Sequence, residues 1–123
     1  MVKLIINNSL FNVKCPMTDK DISNGMMGKK FDGDFNGMLF LMKEGNHSFW
    51  MVDCIVHLDI IFIDNNVITK IHKNCKPCSD KTGVKCGRYR GYGDMVLEIN
   101  GGDCNKYGIK EGMSINHPTK LGI

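Results

Sequence analysis

Phe49-Trp50-Met51-Val52-Asp53-Cys54-Ile55-Val56-His57-Leu58-Asp59-Ile60-Ile61-Phe62-Ile63-Asp64 is the stretch whose reading decides the fold. Its second half, His57 to Ile63, is mostly apolar, rich in isoleucine and carrying Phe62, and reads as a strand. Asp64-Asn65-Asn66 then supplies residues that tolerate positive φ in a tight hairpin turn, and Val67 to His72 returns as the partner strand. Upstream, Gly37 to Met42 looks like a fully buried strand. Gly45-Asn46 is expected to turn the chain into a further strand from His47 to Met51.

Working outward, Lys3 to Ile6 and Leu10 to Cys15 flank Asn7-Asn8-Ser9 and predict an N-terminal hairpin, with Phe11, Val13 and Cys15 alternating with polar neighbours. Thr18, Asp19 and Asp21 supply an N-cap and acidic first turn for a short helix that Gly25 would end. Gly28 to Gly37 has no helical period and reads as a loop. From Lys73 to Asp94 regular patterning is lost among Cys, Gly, Pro and basic residues, an unusually long connection. Met95 to Ile99 restores strand character, Asn100-Gly101-Gly102 turns, and Asp103 to Gly108 suits one helical turn. Gly112 precedes a last short strand at Met113 to Ile115, and a polar tail covers 116–123. Turn signals between many short strands, with one or two short helices, make the chain mainly β, an antiparallel sandwich or barrel.

The 123 residues are expected to form a single domain, 1–123. Hydrophobic residues make up 42% and charged residues 24%, which gives a disordered chain no compositional support. The net charge of +3 is spread along the chain, so neither a nucleic-acid arm nor a membrane arm is indicated. The longest apolar run, Met38 to Met42, falls far short of the ~20 residues of a membrane-crossing helix. Asn7-Asn8 interrupts the N-terminus before a secretory signal can develop, so a cytoplasmic location is the expectation. There the six cysteines would serve as free thiols or metal ligands before a disulfide framework.

Five blocks then stand in order: Gly37-Met38-Leu39-Phe40, Phe49-Trp50-Met51, Leu58 to Asp64, Val96-Leu97-Glu98, and Gly108-Ile109-Lys110-Glu111-Gly112. Together they resemble the domain-of-unknown-function family 192 over roughly residues 22–115. The resemblance implies a compact β-sandwich or barrel of jelly-roll-like character, in a family without an established biochemical role whose members are often exported. Between Met51 and Leu58 relatives usually carry a Lys-Asn-Thr stretch and a proline. Val52-Asp53-Cys54 and His57 stand there instead.

Asp59 interrupts an otherwise apolar strand, and a buried carboxylate must find donors, pair with a cation or face a cleft. With Trp50, Asp53, Cys54, His57 and Glu98 it makes the candidate ligand-binding set, with Asp59 and Glu98 expected to border one cleft. An enzymatic version makes His57 a general base oriented by Asp59, or Cys54 a nucleophile beside His57. The simpler version has Asp59 accept hydrogen bonds from the backbone or from a Lys or Arg side chain and fix the fold. His72, Cys75, Cys78 and Cys86 form a second set with zinc-ligand chemistry, although a Cys78–Cys86 disulfide would staple the same loop and Cys75-Lys76-Pro77-Cys78 has the form of a redox pair. Arg88-Tyr89-Arg90-Gly91-Tyr92-Gly93 mixes basic and aromatic groups as single-strand binders do, without a supporting charge footprint. No signature of the common catalytic classes is present, so the function expected is a non-catalytic module that binds a small molecule or a partner protein.

Overall fold

The structure, a computed structural model, describes residues 2–117. The N-terminal hairpin forms from β1 (Val2–Ile6) and β2 (Ser9–Lys14), with Asn7 and Asn8 at φ 49° and 64° in its turn. α1 (Asp19–Asn24) starts at Thr18, whose hydroxyl accepts the Asp21 N–H at 3.1 Å, and stops at Gly25 at φ 45°. Next come β3 (Gly37–Phe49), β4 (Leu58–Asp64), β5 (Val67–Cys75), β6 (Tyr89–Asn100), α2 (Asp103–Tyr107) and β7 (Ile115–Asn116). Asn65 and Asn66, at φ 49° and 66°, close the β4–β5 hairpin as their side chains allow.

The chain is mainly β, and its strands form one sheet in the order β5-β4-β6-β3-β2-β1-β7 instead of two facing sheets. Every pair is antiparallel except β2–β3, which is parallel because α1 and the following loop carry the chain across to the other end before β3 begins. The sheet curls into a half-barrel. Its two outer strands meet at a seam, where Val67 bridges Ser114, the Ile68 N–H donates to the Met113 carbonyl at 2.8 Å and the Ile115 N–H to the Asn66 carbonyl at 2.8 Å.

Strand alternation divides the buried side chains between the two faces. One cluster draws on all seven strands and includes Leu4, Phe11, Leu39, Ile61, Ile63, Ile68, Leu97, Ile99 and Ile115. On the other face, Met38, Phe40, Leu58, Ile60, Phe62 and Val96 from β3, β4 and β6 pack against Met26, Phe35, Met51 and Cys54 from the connections. β4 is apolar in both directions because both of its faces are covered.

Two boundaries differ from the sequence reading. Gly45-Asn46 does not turn: β3 runs on to Phe49 after a register shift between Leu41 and Gly45, so the glycine marks a bulge and not a chain reversal. The long irregular connection also shrinks to 76–88, because β5 reaches Cys75 and β6 begins at Tyr89. Gly91 and Gly93 read as breakers, yet they are strand residues. A Cβ on Gly91 would overlap the Phe62 ring, and one on Gly93 the Ile63 carbonyl. Of the predicted tail, Asn116 instead belongs to β7, opposite Ile5, and 118–123 lies outside the described residues.

Candidate functional site

Register decides which acid goes where. β6 pairs with β4 so that Ile99 lies opposite Asp59 and Glu98 opposite Ile60, which sends the two carboxylates to opposite faces. The expectation that they border one cleft is therefore corrected. Asp59, 0% exposed, accepts three backbone N–H groups: Asn74 at 2.7 Å, Gly102 at 3.2 Å and Cys104 at 2.8 Å. The last two belong to the first turn of α2, whose N-cap is Gly102 with no capping side chain, so Asp59 caps that helix from a neighbouring strand.

Glu98 has the opposite surroundings. It is 3% exposed and lies between Met38 of β3 and Ile60 of β4. No side chain or backbone N–H among the described residues donates to its carboxyl group. Burial alone pushes its pKa up to about 8. It lies in a cleft of about 410 Å³ walled by the end of α1, Met26 and Met27, by Phe40, Met42 and Phe49 of β3, and by Trp50, Cys54 and Arg88. Phe40 and Phe49 meet edge to face with centroids 5.2 Å apart. At the rim the Arg88 guanidinium lies 4.3 Å from the Trp50 ring centroid and donates to the Gly83 carbonyl at 3.4 Å. Gly83, at φ 77°, packs so closely on Trp50 that any Cβ there would overlap the indole.

Of the six sequence-predicted ligand residues, Trp50, Cys54 and Glu98 line this cleft and Asp53, His57 and Asp59 do not. Asp53 is exposed at φ 56° and contributes backbone bonds, its N–H to the Cys78 carbonyl and its carbonyl to the Gly28 N–H. His57 is also exposed, its Nδ1 3.3 Å from Asn74 Oδ1. It makes no hydrogen bond to Asp59 or Cys54, so neither hydrolytic arrangement is assembled. The Cys54 thiol is pushed up to about 12, by burial first and then by the nearby Glu98 and Asp53 charges, the reverse of what activates a nucleophile.

The four zinc-type residues do not converge on a common point. Cys78 and Cys86 are bonded to each other with Cα atoms 5.8 Å apart, Cys75 is buried with its thiol directed at the His72 carbonyl at 3.5 Å, and His72 Nε2 lies 2.7 Å from the Arg90 carbonyl. The disulfide removes two thiolates from any ligand set, and among the described residues no cluster of three metal-ligating side chains remains. Arg88 is committed to Trp50 and Tyr92 to Glu44 at 2.8 Å, so the basic-aromatic stretch is a structural strand start. No helix among the described residues is long and apolar enough to cross a membrane.

The disulfide holds the loop that backs Trp50. Replacing Cys78 and Cys86 with serine is expected to lower stability by about 2–3 kcal/mol, the loop-closure value for so short a ring, and to shift the emission of Trp50, the chain's one tryptophan. Denaturation followed by fluorescence checks both, and an unchanged midpoint and spectrum would show that the staple neither stabilises the fold nor shapes the cleft wall.

The sequence reading missed Met26, Met27, Phe40, Met42 and Arg88 as cleft residues. Methionines inside strand patterns look like ordinary core, and a pair flanked by Gly25 and Gly28 was the available hint that this stretch lies over a sheet face.

No curated protein matches the chain. Among solved structures it is similar to a protein of unknown function from Novosphingobium aromaticivorans DSM 12444, at 28% identity and a TM-score of 0.77, with 93% of this chain and 83% of that one covered. It shares its fold with a candidate transcription regulator from Sinorhizobium meliloti 1021, at 23% identity and a TM-score of 0.80 over 95% of this chain and 92% of that one. The profile of the domain-of-unknown-function family 192, described as an uncharacterized ACR, matches residues 2–117, well beyond the five sequence blocks, and the chain belongs to that family.

Proposed function

We propose that the chain is a non-catalytic binding module whose site is the Glu98–Trp50 cleft, which takes a small molecule with an apolar body. One observation carries this reading: a buried carboxyl group with no donor from the protein, placed in a concave, thioether- and aromatic-lined cleft. A carboxyl group that served only the fold would be hydrogen-bonded, as Asp59 is. The apolar walls supply affinity through burial, and the acid supplies orientation.

The test is a screen of small fragments by amide NMR shifts. Hits are expected to perturb Phe40, Met42, Phe49, Trp50 and Glu98, and to be lost in Ser48→Trp, which fills the cleft mouth from an exposed position. Hits that map elsewhere and survive Ser48→Trp would refute the site.

A further inference from the structure

We infer that the occupant of this cleft is an amphipathic cation, a small protonated amine whose ammonium group hydrogen-bonds the Glu98 carboxylate while its apolar body lies among Phe40, Met42 and Phe49. The inference rests on the cleft being a binding site and adds the chemical class of what it holds.

Two features point the same way. Glu98 offers two acceptor oxygens and receives no protein donor, so the occupant must bring the donors. An ammonium brings three and an alcohol one. The one basic side chain on the cleft wall, Arg88, lies at the rim, stacked on Trp50 and donating to the Gly83 carbonyl. The remaining wall is electron-rich, with the Phe40 and Phe49 rings and the Met26 and Met42 sulfurs.

Glu98 is protonated in the empty cleft at neutral pH, so binding exchanges a proton for the cation. The ammonium stays charged, the carboxyl O–H proton leaves to solvent, and one ion pair forms. The other titratable groups around Glu98 leave that exchange to it. From the 50–57 connection come Cys54, whose thiol stays protonated, and the exposed Asp53. β5 contributes Cys75, pushed up to about 12, β6 is preceded by Arg88, which is always charged, and Asp59 of β4 faces away. α1 and β3 bring no titratable side chain to the cleft.

The experiment titrates the full chain with n-hexylamine hydrochloride, 1-hexanol and sodium hexanoate at pH 7, following Trp50 fluorescence and the heat of binding in two buffers of different ionisation enthalpy. Hexylamine is expected to bind at least about tenfold tighter than hexanol, to release close to one proton, and to lose that advantage in Glu98→Gln, which still binds hexanol. If hexanol or hexanoate binds as well as the amine, or if the amine releases no proton, the cation assignment is overturned while the cleft stands. If none of the three binds, both readings fall.

Discussion

Replacing Asp59 with alanine is expected to lower the unfolding free energy by about 3–5 kcal/mol, because three backbone donors lose their acceptor at about 1–3 kcal/mol each and water makes up part of the loss. The residue is small and polar, yet its loss strands three donors at once, the N–H groups of Asn74, Gly102 and Cys104. Two of these open α2, and the third belongs to the end of β5, so one carboxylate ties β4 to its neighbouring strand and to the helix after β6. Asp59→Asn is expected to fall between, because its single carbonyl oxygen can serve some of the N–H groups while its amide opposes another. Urea denaturation at neutral pH measures both. A loss below about 1 kcal/mol for the alanine variant, the size of one ordinary hydrogen bond, would mean that water substitutes for the carboxylate and that α2 does not depend on it.

Glu98 should move stability in the other direction. Burial raises its pKa from 4.5 to about 8, so between those values the folded chain holds a proton that the unfolded chain has released. Raising the pH through this window therefore favours unfolding, by at most about 1.4 kcal/mol per pH unit and about 5 kcal/mol in all. Below 4.5 the effect is absent, and above about 8 it is constant. Glu98→Gln removes the titration, so its stability should stay level across the window from this position and exceed that of the parent chain by several kcal/mol at pH 9. Thermal or urea midpoints of the two proteins at pH 4, 6, 8 and 9 decide the matter, and parallel curves would show that Glu98 finds a partner or solvent when it ionises.

These two acids also show how far a sequence can be read. That Asp59 stands alone in an apolar strand is plain from Leu58 to Ile63, and of the donors the simpler version allowed, backbone or Lys/Arg, the structure contains the backbone ones. The face it occupies relative to Glu98 was not legible, because it depends on which residues of β4 and β6 lie opposite each other, and a shift of one reverses the answer. Local turn chemistry was legible at the Asn7-Asn8 and Asn65-Asn66 turns, the Thr18 cap and the Gly25 stop, which all sit where their residues place them, but not at Gly45-Asn46, which lies at a bulge inside β3. Failures came where a distant partner overrides the local signal, as at Gly91 and Gly93, whose missing side chains make room for Phe62 and Ile63. The cleft failed for the same reason. Its walls come from α1, β3, the 50–57 connection and Arg88, brought together by the parallel crossover into β3 and by the β3–β6 pairing that sets Phe49 opposite Tyr89.

The seam between β5 and the 112–115 segment also governs how this chain meets copies of itself. The outermost strand of an open sheet presents unpaired donors and acceptors, a template on which another molecule can extend the sheet. Here the two outermost strands occupy each other: the Ile68 N–H and carbonyl are both taken, by Met113 and Gly112, and farther along β5 the Ile71 N–H is held by the Glu111 carboxylate at 3.0 Å. Glu111 thus places a negative charge beside the edge that an incoming strand would need. The curl that makes room for a core shared by all seven strands also guards the protein against growing into a fibre.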